Sequence, residues 1–126
     1  MPVTEKIKYI HEPTDLQCGQ AVIAMLCDVT VDEVIKLTGT DKETDLKQMF
    51  SALEHYGVFF DRQRRQAGVK EDLPQIALLS LETPRCWHWS LYYKGMFYDP
   101  EHGVLEDFPE AKRKFFWEIK EACLTE

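Results

Sequence analysis

In the first half of the chain, apolar residues recur at helical spacing; in the second half they crowd into short runs. The earliest segment, Val3 to Ile10, alternates weakly and reads as an edge strand or an extended arm. "HEPTD" follows as a turn, punctuated by Pro13 and Asp15. "CGQAVIAMLCD" then predicts a helix of about three turns, with Ala21, Val22, Met25 and Leu26 at helical spacing. In "VTVDEVIKLTGT", Thr30 is an N-cap with Glu33 three residues on, the capping-box pattern, and Gly39 is a natural stop. "TDLKQMFSALEHYGV" predicts a third helix. Leu46, Met49, Phe50 and Leu53 share its apolar face, and Gly57 ends it.

After Gly57 the period changes. "VFFDRQR" reads as a strand, and "PQIALLSLE" as a buried strand after Pro74. "CWHWSLYY", the pair "KG" and "MFYD" read as a β-hairpin. "EHGVLEDFPEAKRK" is expected to be a loop with one helical turn. "FFWEIKEACL" fits a strand in its first half, because Phe116, Glu118 and Lys120 alternate with Trp117 and Ile119. Helices come first and strands second. That order predicts an α+β fold with segregated halves rather than an alternating parallel sheet.

Composition narrows the function. At 126 residues the chain is sized for a single domain, 1–126, with one real core. The formal charge of -7 and the absence of a glycine-rich phosphate loop make a nucleic-acid partner a poor expectation. "RQRR" (Arg62 to Arg65) is the one dense basic cluster, and Glu71 and Asp72 follow it. The same charge balance disfavours anionic membranes. No apolar run approaches the roughly 18 residues that span a bilayer, and "MPVTEKIKYI" is no signal peptide, so a cytoplasmic location is expected. The four cysteines form no CxxC pair and are expected to be free thiols. A zinc site would need a tighter cluster than Cys86 and His88, the one close Cys/His pair, so no metal and no cofactor is expected.

The chemistry centres on Cys18. Only a thiolate is a useful nucleophile, and a free thiol ionises near ~8.5. A helix N-terminus presents unsatisfied N–H groups and roughly half a positive charge, and a neighbouring imidazolium favours the thiolate further. Cys18 opens the first predicted helix, and Gly19 permits close backbone approach beside it. The competing reading is a packing cysteine that happens to begin a helix.

The hairpin bears on that choice. With Lys94-Gly95 as the turn, Tyr93 pairs with Met96 and Ser90 with Asp99. Cross-strand partners share a face, as do residues two apart on one strand, so His88, Ser90 and Asp99 lie together. His88 and Asp99 become diagonal neighbours, about 7–8 Å apart at the backbone. That suits a carboxylate fixing an imidazole tautomer. Read singly, His88 is a strand histidine between two tryptophans, and Asp99 a turn residue before Pro100. Their shared face, with a cysteine opening a helix, favours the joint catalytic reading. His11, near Cys18 in sequence, is the second choice of base; His55 and His102 are weaker. Cys27 and Cys123 read as packing thiols, and Cys86 shares the His88 face by parity.

The run "CGQAVIAML", a helical middle and then "HWSLYYKGMFYDP" resemble the small papain-like cysteine peptidases. The nearest group is the family that trims double-glycine leaders from bacteriocins, with its single-domain relatives. The resemblance runs from about Glu12 to Gly103. It implies a papain-like fold, with N-terminal helices packed on a C-terminal antiparallel sheet. It also implies a triad of Cys18 as nucleophile, His88 as general base and then acid, and Asp99 as orienting carboxylate. The family carries a glutamine six residues before the cysteine, whose amide helps bind the oxyanion; here that position is Glu12. An ionised carboxylate would repel the oxyanion, and a lost donor costs ~10²–10³ in rate. A protonated Glu12, a slipped register or the amide of Gln17 would each answer this. Gly19 and Trp89 complete the expected substrate and oxyanion surroundings.

Two functions from different classes follow. One is a cysteine peptidase cleaving amide bonds in a peptide or protein, with glutamine deamidation or transglutamination as variants of the same chemistry. The other is a peptide-binding module that keeps the scaffold and has lost most of its catalysis, for which Glu12 is the best support.

Overall fold

A computed structural model describes residues 7–14, 16–84 and 86–121. The expectations for Asp15, for Cys123 and for the first half of the Val3 to Ile10 segment fall outside the described residues. Residues 7–10 form neither strand nor helix, although Ile7 is buried.

The described chain is α+β, with helices before strands. Helix α1 spans Cys18–Cys27, α2 Val31–Thr38 and α3 Leu46–His55. Every residue of α1 is buried, so this helix is the centre of the core. Thr30 caps α2 by accepting from the Glu33 N–H at 3.1 Å. The expected reciprocal bond of a capping box gives way to another contact, as the Glu33 carboxylate accepts from the Tyr56 hydroxyl at 2.9 Å. The full capping box belongs to α3, between Asp45 and Gln48. In α3, Met49, Ala52 and Leu53 are buried. Leu46 departs from the expected apolar face and is exposed, because the first helical position lies at the rim.

The strands are β1 Phe59–Phe60, β2 Arg65–Gln66, β3 Ile76–Glu82, β4 Trp87–Tyr93, β5 Met96–Asp99, β6 Gly103–Leu105 and β7 Lys114–Glu121. They form one sheet in the order β1-β7-β3-β4-β5-β6, with β2 also on β7. Every described pairing is antiparallel. The strand expected for "VFFDRQR", residues 58–64, is reduced to β1, where the register shifts at Phe59/Phe60, and β2 begins just beyond it. β6 stands where a loop with a helical turn was expected: Gly103, at φ 99°, reverses the chain so that Val104 pairs with Tyr98.

One face of the sheet, with Leu78, Leu91, Trp117 and Ile119, packs on the helices. The opposite face, with Leu79, Leu81, Tyr92, Phe97 and Phe116, packs against Leu105 of β6 and against Leu73, Phe108 and Ala111 from connecting segments. No described helix is long and apolar enough to cross a membrane.

Candidate active site

Cys18 is the first residue of α1, and the helix begins without a side-chain cap from Gln17. The first-turn N–H groups therefore remain beside the sulfur as unpaired donors in the helix. The β4–β5 hairpin supplies the facing groups. Lys94 at φ 48° and Gly95 at φ 95° make the tight turn, and Tyr93 pairs with Met96. β4 extends beyond the end of β5. Along that open edge the Trp89 N–H donates to Cys18 Sγ at 3.4 Å, so sulfur takes the place of a ladder partner.

Two residues down the strand register, Asp99 meets both expected neighbours. Its Oδ1 is 2.9 Å from His88 Nε2, and its Oδ2 accepts from Ser90 Oγ at 2.9 Å. Because Nε2 is held by Asp99, Nδ1 is the ring nitrogen left for the sulfur. Cys18 Sγ, a His88 nitrogen and a Glu12 carboxylate oxygen all lie within 4.8 Å of one another. Cys18, His88, Asp99 and Glu12 are all buried.

Electrostatics follow from this packing. Burial alone would push the His88 imidazole down. The hydrogen bond to Asp99, the contact with Cys18 and their charges outweigh it, and the pKa is raised to about 10. For Asp99 burial works upward, and the His88 hydrogen bond and charge, with the Ser90 hydroxyl and the Glu101 N–H, carry it down to about 2. Glu12 is shifted upward, first by burial. His88 and His11 oppose that shift, and Glu101 and Asp99 add to it.

Glu12 is fixed by its backbone, which donates to the Pro100 carbonyl at 2.9 Å. The Tyr9 hydroxyl makes a second tie to this corner, donating to the Asp99 carbonyl at 2.6 Å. One Glu12 carboxylate oxygen is buried without a hydrogen-bond partner. Gln17 does not turn its amide back over Cys18 as one expectation required; Nε2 donates to the Asp41 carbonyl at 2.9 Å. Gly19 is pressed against Thr44, Met49 and Trp89, where a Cβ would overlap Thr44 Oγ1. The Trp89 indole donates to the Thr44 carbonyl at 3.0 Å and its ring lies 5.9 Å from that of Trp117. Trp89 is therefore anchored on the helix side while its backbone faces the sulfur.

A crevice of about 420 Å³ opens onto Cys18 and His88, walled by Thr44, Cys86, Trp87 and Trp89. Cys86 is exposed at this wall, and Cys27 is buried as a packing thiol. His11 is exposed, and its link to the site is its charge on Glu12. Two contributors went unassigned in the sequence. Thr44 precedes α3 with no motif to announce it. His102 places Nδ1 3.0 Å from Asp99 Oδ1, and the Glu101 and His102 N–H groups close on the same oxygen. The "DPEH" turn carried that signal, since an aspartate accepts readily from the backbone two and three residues on. No protein-family model matches the chain, and no curated protein matches it.

Proposed function

We propose that the protein is a papain-like thiol hydrolase that cleaves amide bonds in a peptide or protein. The observation that carries this reading is the convergence of one sulfur, one imidazole and one carboxylate. Cys18 Sγ lies within 4.8 Å of a His88 nitrogen, and His88 Nε2 is 2.9 Å from Asp99 Oδ1. A histidine oriented by a carboxylate beside a sulfur that opens a helix supports Cys18 as the nucleophile.

In the proposed reaction the Cys18 thiolate attacks the amide carbonyl, and the carbonyl electron pair moves onto oxygen. The open N–H groups at the start of α1 stabilise that oxygen. Glu12 adds a donor in its neutral form, which its burial favours. Collapse of the intermediate expels the amine, which takes the His88 proton. Water, deprotonated by His88, then attacks the thioester and releases the acid and the thiol. Asp99 holds the imidazole orientation throughout.

The test is selective alkylation followed by turnover. Iodoacetamide at pH 6 is expected to modify Cys18 well ahead of the exposed Cys86, read by peptide mass mapping. Cys18→Ala is expected to abolish hydrolysis of peptide amides. Alkylation that simply follows exposure, with Cys86 first, counts against the reading.

The buried carboxylate of Glu12 supports a second reading, a peptide-binding module with residual catalysis. Under it, peptides bind with Cys18 intact and no acyl-enzyme accumulates on rapid quenching.

A further inference from the structure

In its ionised form Glu12 is a better metal ligand than an amide at that position. We infer that Glu12, Cys18 and His88 form a chelating site for zinc that reversibly masks the crevice. The blocking of catalysis rests on the amide-cleavage reading; binding of the metal does not.

The donor set is one carboxylate oxygen, one sulfur and one imidazole nitrogen, all within 4.8 Å of one another on buried side chains. Zinc takes these three donor types at bonds of about 2.0–2.3 Å, which sets neighbouring ligand atoms roughly 3.3–3.8 Å apart. Closing the three around an ion therefore needs side-chain movements of about an ångström. Three protein ligands leave a fourth position for water.

Two further observations point the same way. A Glu12 oxygen is buried with no hydrogen-bond partner, an acceptor in want of a cation or a proton. His88 is already arranged as a metal-binding histidine. Its Nε2 faces the Asp99 carboxylate at 2.9 Å, leaving Nδ1 as the ligand nitrogen once the metal displaces its proton. A carboxylate behind the ring fixes the tautomer and raises ligand basicity. The neighbouring group of His88, Asp99 and His102 is also close-set, but Asp99 Oδ1 already takes two imidazoles and two backbone N–H groups. A glutamine at position 12 would supply only a neutral amide oxygen, a poorer zinc ligand than a carboxylate.

The probes are Zn²⁺ against a chromophoric chelator, and Co²⁺ as a spectroscopic substitute, both on the full chain. The native protein is expected to bind one equivalent of Co²⁺ with a near-ultraviolet thiolate charge-transfer band. Cys18→Ser should remove this band and Cys86→Ser should leave it. Zn²⁺ should protect Cys18 from iodoacetamide, and a chelator should restore its reactivity. Glu12→Gln, nearly isosteric, should weaken zinc binding roughly tenfold or more while keeping the native circular-dichroism spectrum in metal-free buffer. A missing band in the native protein, a band that depends on Cys86, or unchanged zinc affinity in Glu12→Gln overturns the site. Selective alkylation with no zinc binding rejects this inference and leaves the hydrolase reading in place. Zinc binding without peptide turnover does the reverse.

Discussion

His88 Nε2 and Asp99 Oδ1 stand 2.9 Å apart, buried, on adjacent strands of one tight hairpin. The same carboxylate accepts from Ser90 and from the Glu101 and His102 backbone, so it is both an orienting group and a structural hub. These roles separate by substitution. Asp99→Asn keeps the shape and removes the charge, and hydrolysis is expected to fall ~10²–10⁴-fold with the fold intact. Asp99→Ala strands several buried donors and is expected to cost about 3–5 kcal/mol in urea unfolding. Equal turnover by Asp99→Asn and the native protein would remove Asp99 from the mechanism.

The pair also dictates how stability varies with pH. His88 is raised from 6.5 to about 10, so its contribution is complete below pH 6.5 and is lost as pH rises toward 10. Asp99 is lowered from 3.8 to about 2, so its contribution is complete above pH 3.8 and is lost as pH falls toward 2. For this pair, unfolding free energy is expected to be flat between these limits and to decline on either side. Urea titrations across the range, with His88→Gln for comparison, check this. The native protein should lose its excess over His88→Gln on the alkaline side.

His102 shares Asp99 Oδ1 with His88, its ring centroid 6.2 Å from the His88 ring, and is about half exposed. Its imidazole competes for the oxygen that orients the His88 ring. His102→Gln retains the backbone N–H bond to Asp99 and removes the competing ring. Turnover is expected to stay within about threefold of native, because the Asp99–His88 contact is buried and persists. A loss comparable to that of Asp99→Asn would make His102 a working part of the relay.

The hairpin was legible because a two-residue turn fixes parity along both strands. Once Lys94-Gly95 was placed, His88, Ser90 and Asp99 had to share a face. The helices were legible from period and caps. Other features depend on tertiary contacts that carry no local pattern. Leu46 fits the apolar stripe but falls at a rim, and Glu33 turns from its cap to Tyr56, far along the chain. β6 exists because Val104 finds Tyr98 across a turn closed on Asp99. The approach of Glu12 to the sulfur depends on its bond to Pro100, which no spacing within 7–18 encodes.

Gly19 tests whether the crevice depends on the packing of α1 against β4. A methyl group there would overlap Thr44 Oγ1 and stand 3.0 Å from Met49 Sδ and Trp89 Cδ1. Thr44 also holds the Trp89 indole through its carbonyl. Gly19→Ala is expected to cost about 1–3 kcal/mol in denaturant unfolding, despite the better helix propensity of alanine. It should also slow alkylation of Cys18, since Trp89 carries the N–H that meets the sulfur. A stabilised Gly19→Ala protein would show that the close approach of α1 to β4 is not needed.

Glu12 joins the stability and the chemistry of the site. Its pKa is raised chiefly by burial, with His88 opposing, so the fold favours the neutral acid more than water does. A group raised in this direction contributes stability below its unfolded pKa and loses it as pH rises through the folded value. Glutamine has nothing to ionise. Glu12→Gln is therefore expected to match the native protein in acid and to become the more stable of the two as pH rises, seen in paired urea curves. Turnover should diverge in the same sense. The amide keeps an N–H donor at every pH, whereas ionised Glu12 becomes a negative charge beside the developing oxyanion. The variant should gain most on the alkaline side, by up to ~10²–10³-fold where Glu12 is fully ionised. If Glu12→Gln is slower than the native protein at every pH, the carboxyl has a proton-transfer role that an amide cannot fill, and the neutral-donor account of Glu12 fails.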